Sequence, residues 1–417
     1  MSPDAVHDPY RRSIAWLYLA AMGVFVVTVV TGVLNGLDLI DLDRRTLLTH
    51  VHAGTLGWIT LSVFATAFWL FGPSRPDQAQ SVRVLAWAAG ISIAALVAAF
   101  YVEIAWLRAA AGTAVLAVMV MMLAWCWAAV RSGPSTVPRW SFIAGFVTLI
   151  VGGTVGVVWQ LQLASGQRLL SGDPIGAHVA AMAFSYLVLV AMGAVEWRLL
   201  GDRPATRLGL AQVGLLFAGG LLLSLGLLVG LPVAVVSGPY LLVELIAVVI
   251  FISRVWRAVL GVRWRDVDGR RHVALAAVFI PIDIAILLYL IVALVTGAFG
   301  APGETPDLAD VPLWLIFALD HAIFVGVMTN LIIGLLAART TAAARFGSRW
   351  SDEIIFWGIN VGMVGFVVGL ALDDATIKRI FSPIMGISIL VALIVLAVRL
   401  WRANGLAGSA GRQAGAP

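Results

Sequence analysis

Twelve apolar runs of roughly 20 to 25 residues follow one another along this chain, each long enough as a helix to cross about 30 Å of hydrocarbon. They cover approximately 13–38, 46–72, 81–103, 107–130, 140–163, 174–200, 206–229, 231–253, 273–298, 312–338, 353–372 and 380–401. Nothing but Gly230, Leu231 and Pro232 separates the seventh run from the eighth. The composition agrees with this pattern. Of 417 residues, 61% are hydrophobic and 12% charged, against about 25% charged in soluble domains. The expected fold is all-α: a polytopic membrane protein built as a twelve-helix bundle.

Basic residues set the expected orientation. The termini and the even-numbered connections hold 21 of the 27 Lys and Arg, and the odd-numbered connections hold the other 6: Arg44, Arg45, Arg108, Arg168, Lys378 and Arg379. Positive charge favours the cytoplasmic side, so both termini are expected there. The loop with Glu304, Asp307 and Asp310 and no basic residue reads as external. The first run reads as a retained helix rather than a cleaved leader. One transmembrane domain is expected over 1–404, with a small, polar, disordered tail over 405–417. The lone Cys126 excludes a disulfide framework or a Cys-based metal site within one chain. The net charge of +5 calls for no nucleic-acid partner; the expected surroundings are a lipid bilayer. The near-absence of lysine points to a GC-rich genome and a bacterial inner (plasma) membrane.

Function is expected at the histidines, of which the chain has six. His50 and His52 lie near the start of the second run, His178 near the start of the sixth and His321 inside the tenth. All three runs enter from the outer side, which places these imidazoles roughly 6 to 13 Å deep. Ionisable groups at such depth are costly and by default mark function, and neutral imidazole is a common ligand for metals and haem iron. The competing reading is that each histidine bonds a backbone carbonyl and packs the bundle. Residues i and i+2 point about 200° apart on a helix, so one metal cannot readily take both His50 and His52; the other is left for a propionate or a second site. His7 and His272 read as solvated or headgroup-level side chains.

The stretch His50-x-His52-x-x-x-Leu56-Gly57-Trp58, with outer-half histidines on helices 2, 6 and 10 of twelve, resembles subunit I of the haem–copper oxidase superfamily. It is also similar to the helix-2 motif of the NnrS-like haem membrane proteins, which are associated with copper and nitric-oxide metabolism. The resemblance implies that His52, with His50 as runner-up, and His321 are the two axial ligands of a low-spin haem b. It implies that His178 sits near the copper ligand of helix 6, making it a candidate metal contact for copper or a second haem. It also marks departures. Leu319 stands where the family has its high-spin haem ligand, Tyr186 is too far from His178 to match the cross-linked tyrosine, and helix 7 has no histidine. The implied protein is therefore not a complete terminal oxidase. It is one with a bis-His haem and a role in electron transfer or in nitric-oxide or metal handling, with an unknown electron donor and membrane-protein partner subunits.

Other polar residues fall within the runs. Asp320, Asp283, Glu244, Glu103, Gln160 and Gln162 are candidates for a proton path or for plain interhelical bonding, and Glu196 reads as interfacial. Two alternatives compete with the haem reading. One is a twelve-helix secondary transporter, for which the basic loop Gly261 to Arg271 is the best support. The other is an assembly subunit without cofactors.

Overall fold

The computed structural model describes residues 10–299, 310–340 and 347–413, with the side chains of Ala234 and of 405–413 left aside. His7, Glu304, Asp307 and Arg345 lie outside the described residues, and the side chains of the expected tail 405–417 do too. The chain is 85% helical, and among the described residues twelve helices are long and apolar enough to cross a membrane. These are α1 (Arg11–Gly36), α2 (Arg44–Ser74), α3 (Ala79–Val102), α4 (Ala105–Ser132), α5 (Val137–Ser165), α6 (Pro174–Leu200), α7 (Arg207–Leu228), α8 (Val235–Leu260), α9 (Arg270–Val295), α10 (Leu313–Thr340), α11 (Arg349–Ala371) and α12 (Ala375–Asn404).

Local chemistry sets the helix ends. Asp43 caps α2 by accepting from the Thr46 amide at 2.8 Å. Asp173 does the same for α6 through the Gly176 amide at 2.9 Å, with Pro174 at the first helical position. The break between α7 and α8 falls at the expected place, with Gly230 at φ +82°. The eighth helix continues seven residues past its expected end. Its extra turns carry Arg254, whose Nη1 meets Glu196 at 2.6 Å and Gln212 at 2.8 Å. Glu196 is thus buried and ion-paired rather than interfacial.

Three helices form the inner part of the bundle. The most apolar windows of α2 and α10 are each 83% buried and that of α6 is 67% buried, more than any other span. These are the helices that carry His50, His52, His178 and His321. Each also changes winding just after its histidines, opening into a wider π-helical segment: Ala53–Thr60 in α2, Met182–Leu187 in α6 and Ala322–Thr329 in α10. Threonine hydroxyls recapture carbonyls five residues back, Thr60 to Thr55 at 3.0 Å and Thr329 to Phe324 at 2.8 Å. The segments are tied together as well. The Trp58 indole donates to Thr329 at 3.1 Å and the Tyr186 hydroxyl to Thr60 at 3.4 Å. Wide turns of this kind are rare and recur at functional sites.

Candidate cofactor site

The i, i+2 spacing on α2 has the consequence that helix geometry requires: the two imidazoles line different cavities. His50 and His321 share a cavity of about 230 Å³ walled by α1, α2, α10, α11 and α12. His52 and His178 share a second, of about 180 Å³, walled by α2 to α6. The two histidines in each cavity are near enough to interact electrostatically. The expected pairing of His52 with His321 is therefore not the pairing observed. His52 is turned toward α3 to α5, while the face of α2 toward α10 is the one that carries His50.

The imidazoles are held in a defined protonation geometry. Nδ1 lies 2.7 Å from the Leu48 carbonyl in His52, 2.8 Å from the Gly152 carbonyl in His178 and 2.7 Å from the Phe317 carbonyl in His321. A carbonyl only accepts, so in each ring Nδ1 carries the proton and Nε2 keeps its lone pair. No group among the described residues bonds to those Nε2 atoms. A ring anchored through Nδ1 with Nε2 free is the arrangement of a metal-ligating histidine. The Nδ1 of His50 is buried without a partner. All four rings are half-buried.

The walls favour a flat apolar guest. Phe25 and Trp58 stack at 4.7 Å between ring centroids and line the first cavity with Phe317, Phe324 and Phe366. The Phe366 ring lies 4.8 Å from that of His321. Across the other cavity Phe100 stacks on His52 at 3.7 Å. Two glycines make room for the rings. A Cβ at Gly32 would lie 3.2 Å from Cε1 of His50, and one at Gly156 would lie 3.1 Å from both Cε1 and Nδ1 of His178. Besides the two histidines, the polar side chains lining the first cavity are mostly short hydroxyls and amides, with Asp320 and Lys378 its charged groups. Lys378 and Arg379 both bond Asp38, which follows α1. Those contacts, Lys378 first, hold the Asp38 carboxyl below its ordinary value.

Residues expected at an oxidase-like centre are not brought together. Leu319 is buried among Tyr240, Leu287 and Ile291, an apolar cluster. His178 faces α5 through Gly152 and Gly156, while its neighbour Ala177 supplies the carbonyl bonded by Ser224 of α7. Among the described residues no group of three or more His, Cys, Asp or Glu is assembled as a metal-ion cluster. Gln162 is occupied as a loop clasp, accepting from the Leu169 and Leu170 amides at 2.9 and 3.0 Å. Glu244 and Asp283 are buried with unpartnered oxygens, and the electrostatic neighbours of Asp283 include Asp320.

Sequence reasoning missed three things here. His272 is buried, not solvated; its Nδ1 lies 3.0 Å from Oδ1 of Asn330, which also pairs with Asn360. Its place beside Arg270 and Arg271 hid this. Arg108 was counted as a topology-setting charge, yet it is buried and lines the His52 cavity; its position four residues into an apolar helix was the available signal. The π-helical segments leave no mark in residue type. No family model matches the chain, and no curated protein matches it in sequence.

Proposed function

We propose that this chain is a membrane electron-transfer protein that holds a b-type haem between His50 and His321. The observation that carries the reading is that these two imidazoles, from the second and tenth helices, line one aromatic-walled cavity. His321 is fixed through its Nδ1 with Nε2 free. This keeps the helix 2 and helix 10 clamp expected from the resemblance to oxidase subunit I and exchanges His52 for His50. Bound there, the group would be held by His50 and His321 and would supply one-electron transfer.

The protein's own part is to position and to exclude. Phe317 fixes the His321 ring through its carbonyl, Phe366 lies against that ring, and the stacked Phe25 and Trp58 add apolar wall to the cavity. The Asp38–Lys378 pair stands at the polar edge. With His50 and His321 both committed to the group and Leu319 in apolar packing where the resemblance has a ligand, the residues support electron transfer rather than dioxygen reduction. The basic-residue distribution supports cytoplasmic termini in a bacterial inner membrane, with a separate membrane-bound or soluble donor.

The test is the absorbance of protein purified from haem-replete cells. A Soret band with sharp reduced α and β bands is expected. His50→Ala and His321→Ala should each remove a bis-His spectral component, while His272→Ala leaves the bands in place. A colourless, stable protein, or equal loss from all three variants, sinks the reading and returns the transporter and assembly-subunit alternatives.

A further inference from the structure

The cavity on the other side of α2 is not used by that reading, and it is built of the same parts. His52 and His178 both carry the proton on Nδ1, bonded to the Leu48 and Gly152 carbonyls, and both line the cavity with Nε2 left without a bond among the described residues. Phe100 lies flat on the His52 ring. The remaining wall is apolar except for Gln160, whose Oε1 is buried without a partner, and two arginines.

Those arginines decide the chemistry. Arg44 starts α2 and Arg108 lies in the first turn of α4, so both stand at the same end of the cavity. They are electrostatic neighbours of each other. Arg108 is 9% exposed, its Nε has no partner, and its guanidinium lies over the Phe100 ring at 5.7 Å. Glu103 is near enough to attract it but forms no ion pair. An arginine whose Nε is buried without a partner, beside a second arginine, makes this end of the cavity cationic, and a guest with carboxylates matches it. Two imidazoles on helices that face one cavity would hold the iron of a planar macrocycle, which needs no further protein donor.

We propose that a second haem, separate from the one on His50 and His321, binds in this cavity between His52 and His178, with its propionates on Arg44 and Arg108. The proposal rests on the same imidazole chemistry as the proposed function but on different residues, so the two fail separately. One helix then carries an axial ligand for each of two haems, and α2 lies between them.

Haem stoichiometry of the purified full-length chain is the test, measured as pyridine haemochrome per protein. Two haems per chain are expected. His52→Ala and His178→Ala should each lower the count to one, with added imidazole restoring the second to His178→Ala. His50→Ala and His321→Ala should lower it to one by losing the other haem. Arg108→Gln should keep both haems and lower the midpoint potential of one, because a positive charge near the carboxylates favours the reduced form. This arm remains decisive if a histidine variant fails to fold. One haem per chain that is lost only with His50 or His321 overturns the second site and leaves the first. Recovery of an isoprenoid quinone with the single-haem protein overturns it too, in favour of a quinone slot. An Arg108→Gln protein with both potentials unchanged overturns the propionate assignment. No haem at all overturns both readings.

Discussion

At the scale of single residues, the bundle holds several side chains in positions that a packed apolar interior does not favour. Glu244 is fully buried on α8 with neither carboxylate oxygen partnered. An unsatisfied buried polar group costs about 1–3 kcal/mol, so Glu244→Met is expected to raise the thermal midpoint of the solubilised protein. A drop would mean that the carboxyl serves a partner of its own. Gly156 makes the opposite case. A methyl group there meets the His178 ring at 3.1 Å, so Gly156→Ala should displace the imidazole and lower haem occupancy of the α2–α6 cavity. The His50–His321 site should be unaffected, and quantitative haem analysis of the variant checks this. Of the residues around the site, the histidines were legible in the sequence because imidazole is rare in apolar helices. Their partners were not. The spacing showed that His50 and His52 face apart, but which one faces α10 depends on how α2 is turned among its neighbours, and no residue type encodes that.

At the scale of helices, legibility follows the apolar signal. All twelve spans could be read from run length, and their ends were least clear where charge is buried in a pair. Arg254 looks like a helix end until Glu196 and Gln212 are seen to receive it. The wider turns after the histidines were invisible, since ordinary apolar residues with a few Gly and Thr form them. They are linked by few polar contacts, chiefly Trp58 to Thr329. Interhelical hydrogen bonds in membranes average about 0.6 kcal/mol and reach about 1.7. Trp58→Phe should therefore cost about 1 kcal/mol in a reversible unfolding assay. If the proposed haem binds between His50 and His321, its low-spin signal should also broaden as the α2 and α10 segments lose their common anchor. An unchanged spectrum and stability would show that aromatic packing alone sets the register.

At the scale of the whole molecule, the basic residues read as sparse external charges have structural uses. Arg45 pairs with Asp43 at 2.9 Å, Lys378 and Arg379 join α12 to the end of α1 through Asp38, and Arg44 and Arg108 stand at a cavity mouth. The Asp38 clasp predicts a pH dependence. Its folded-state carboxyl lies below the ordinary 3.8. Its contribution is therefore complete above that value and fades as pH falls through the lower folded one. The Asp38 contribution to thermal stability should not change with pH from neutral down to about 4, and should be lost on further acidification. In Asp38→Asn that acid-side component should be missing. A clasp-dependent loss beginning near pH 6 would contradict the assignment.

The two-residue step from His50 to His52 has a mechanical corollary. Both rings are fixed to one rigid rod and point to opposite flanks of it. A sideways displacement of α2 that carries one imidazole deeper into its chamber draws the other back, so Val51 between them marks where the helix has to stay centred for both chambers to keep their rings.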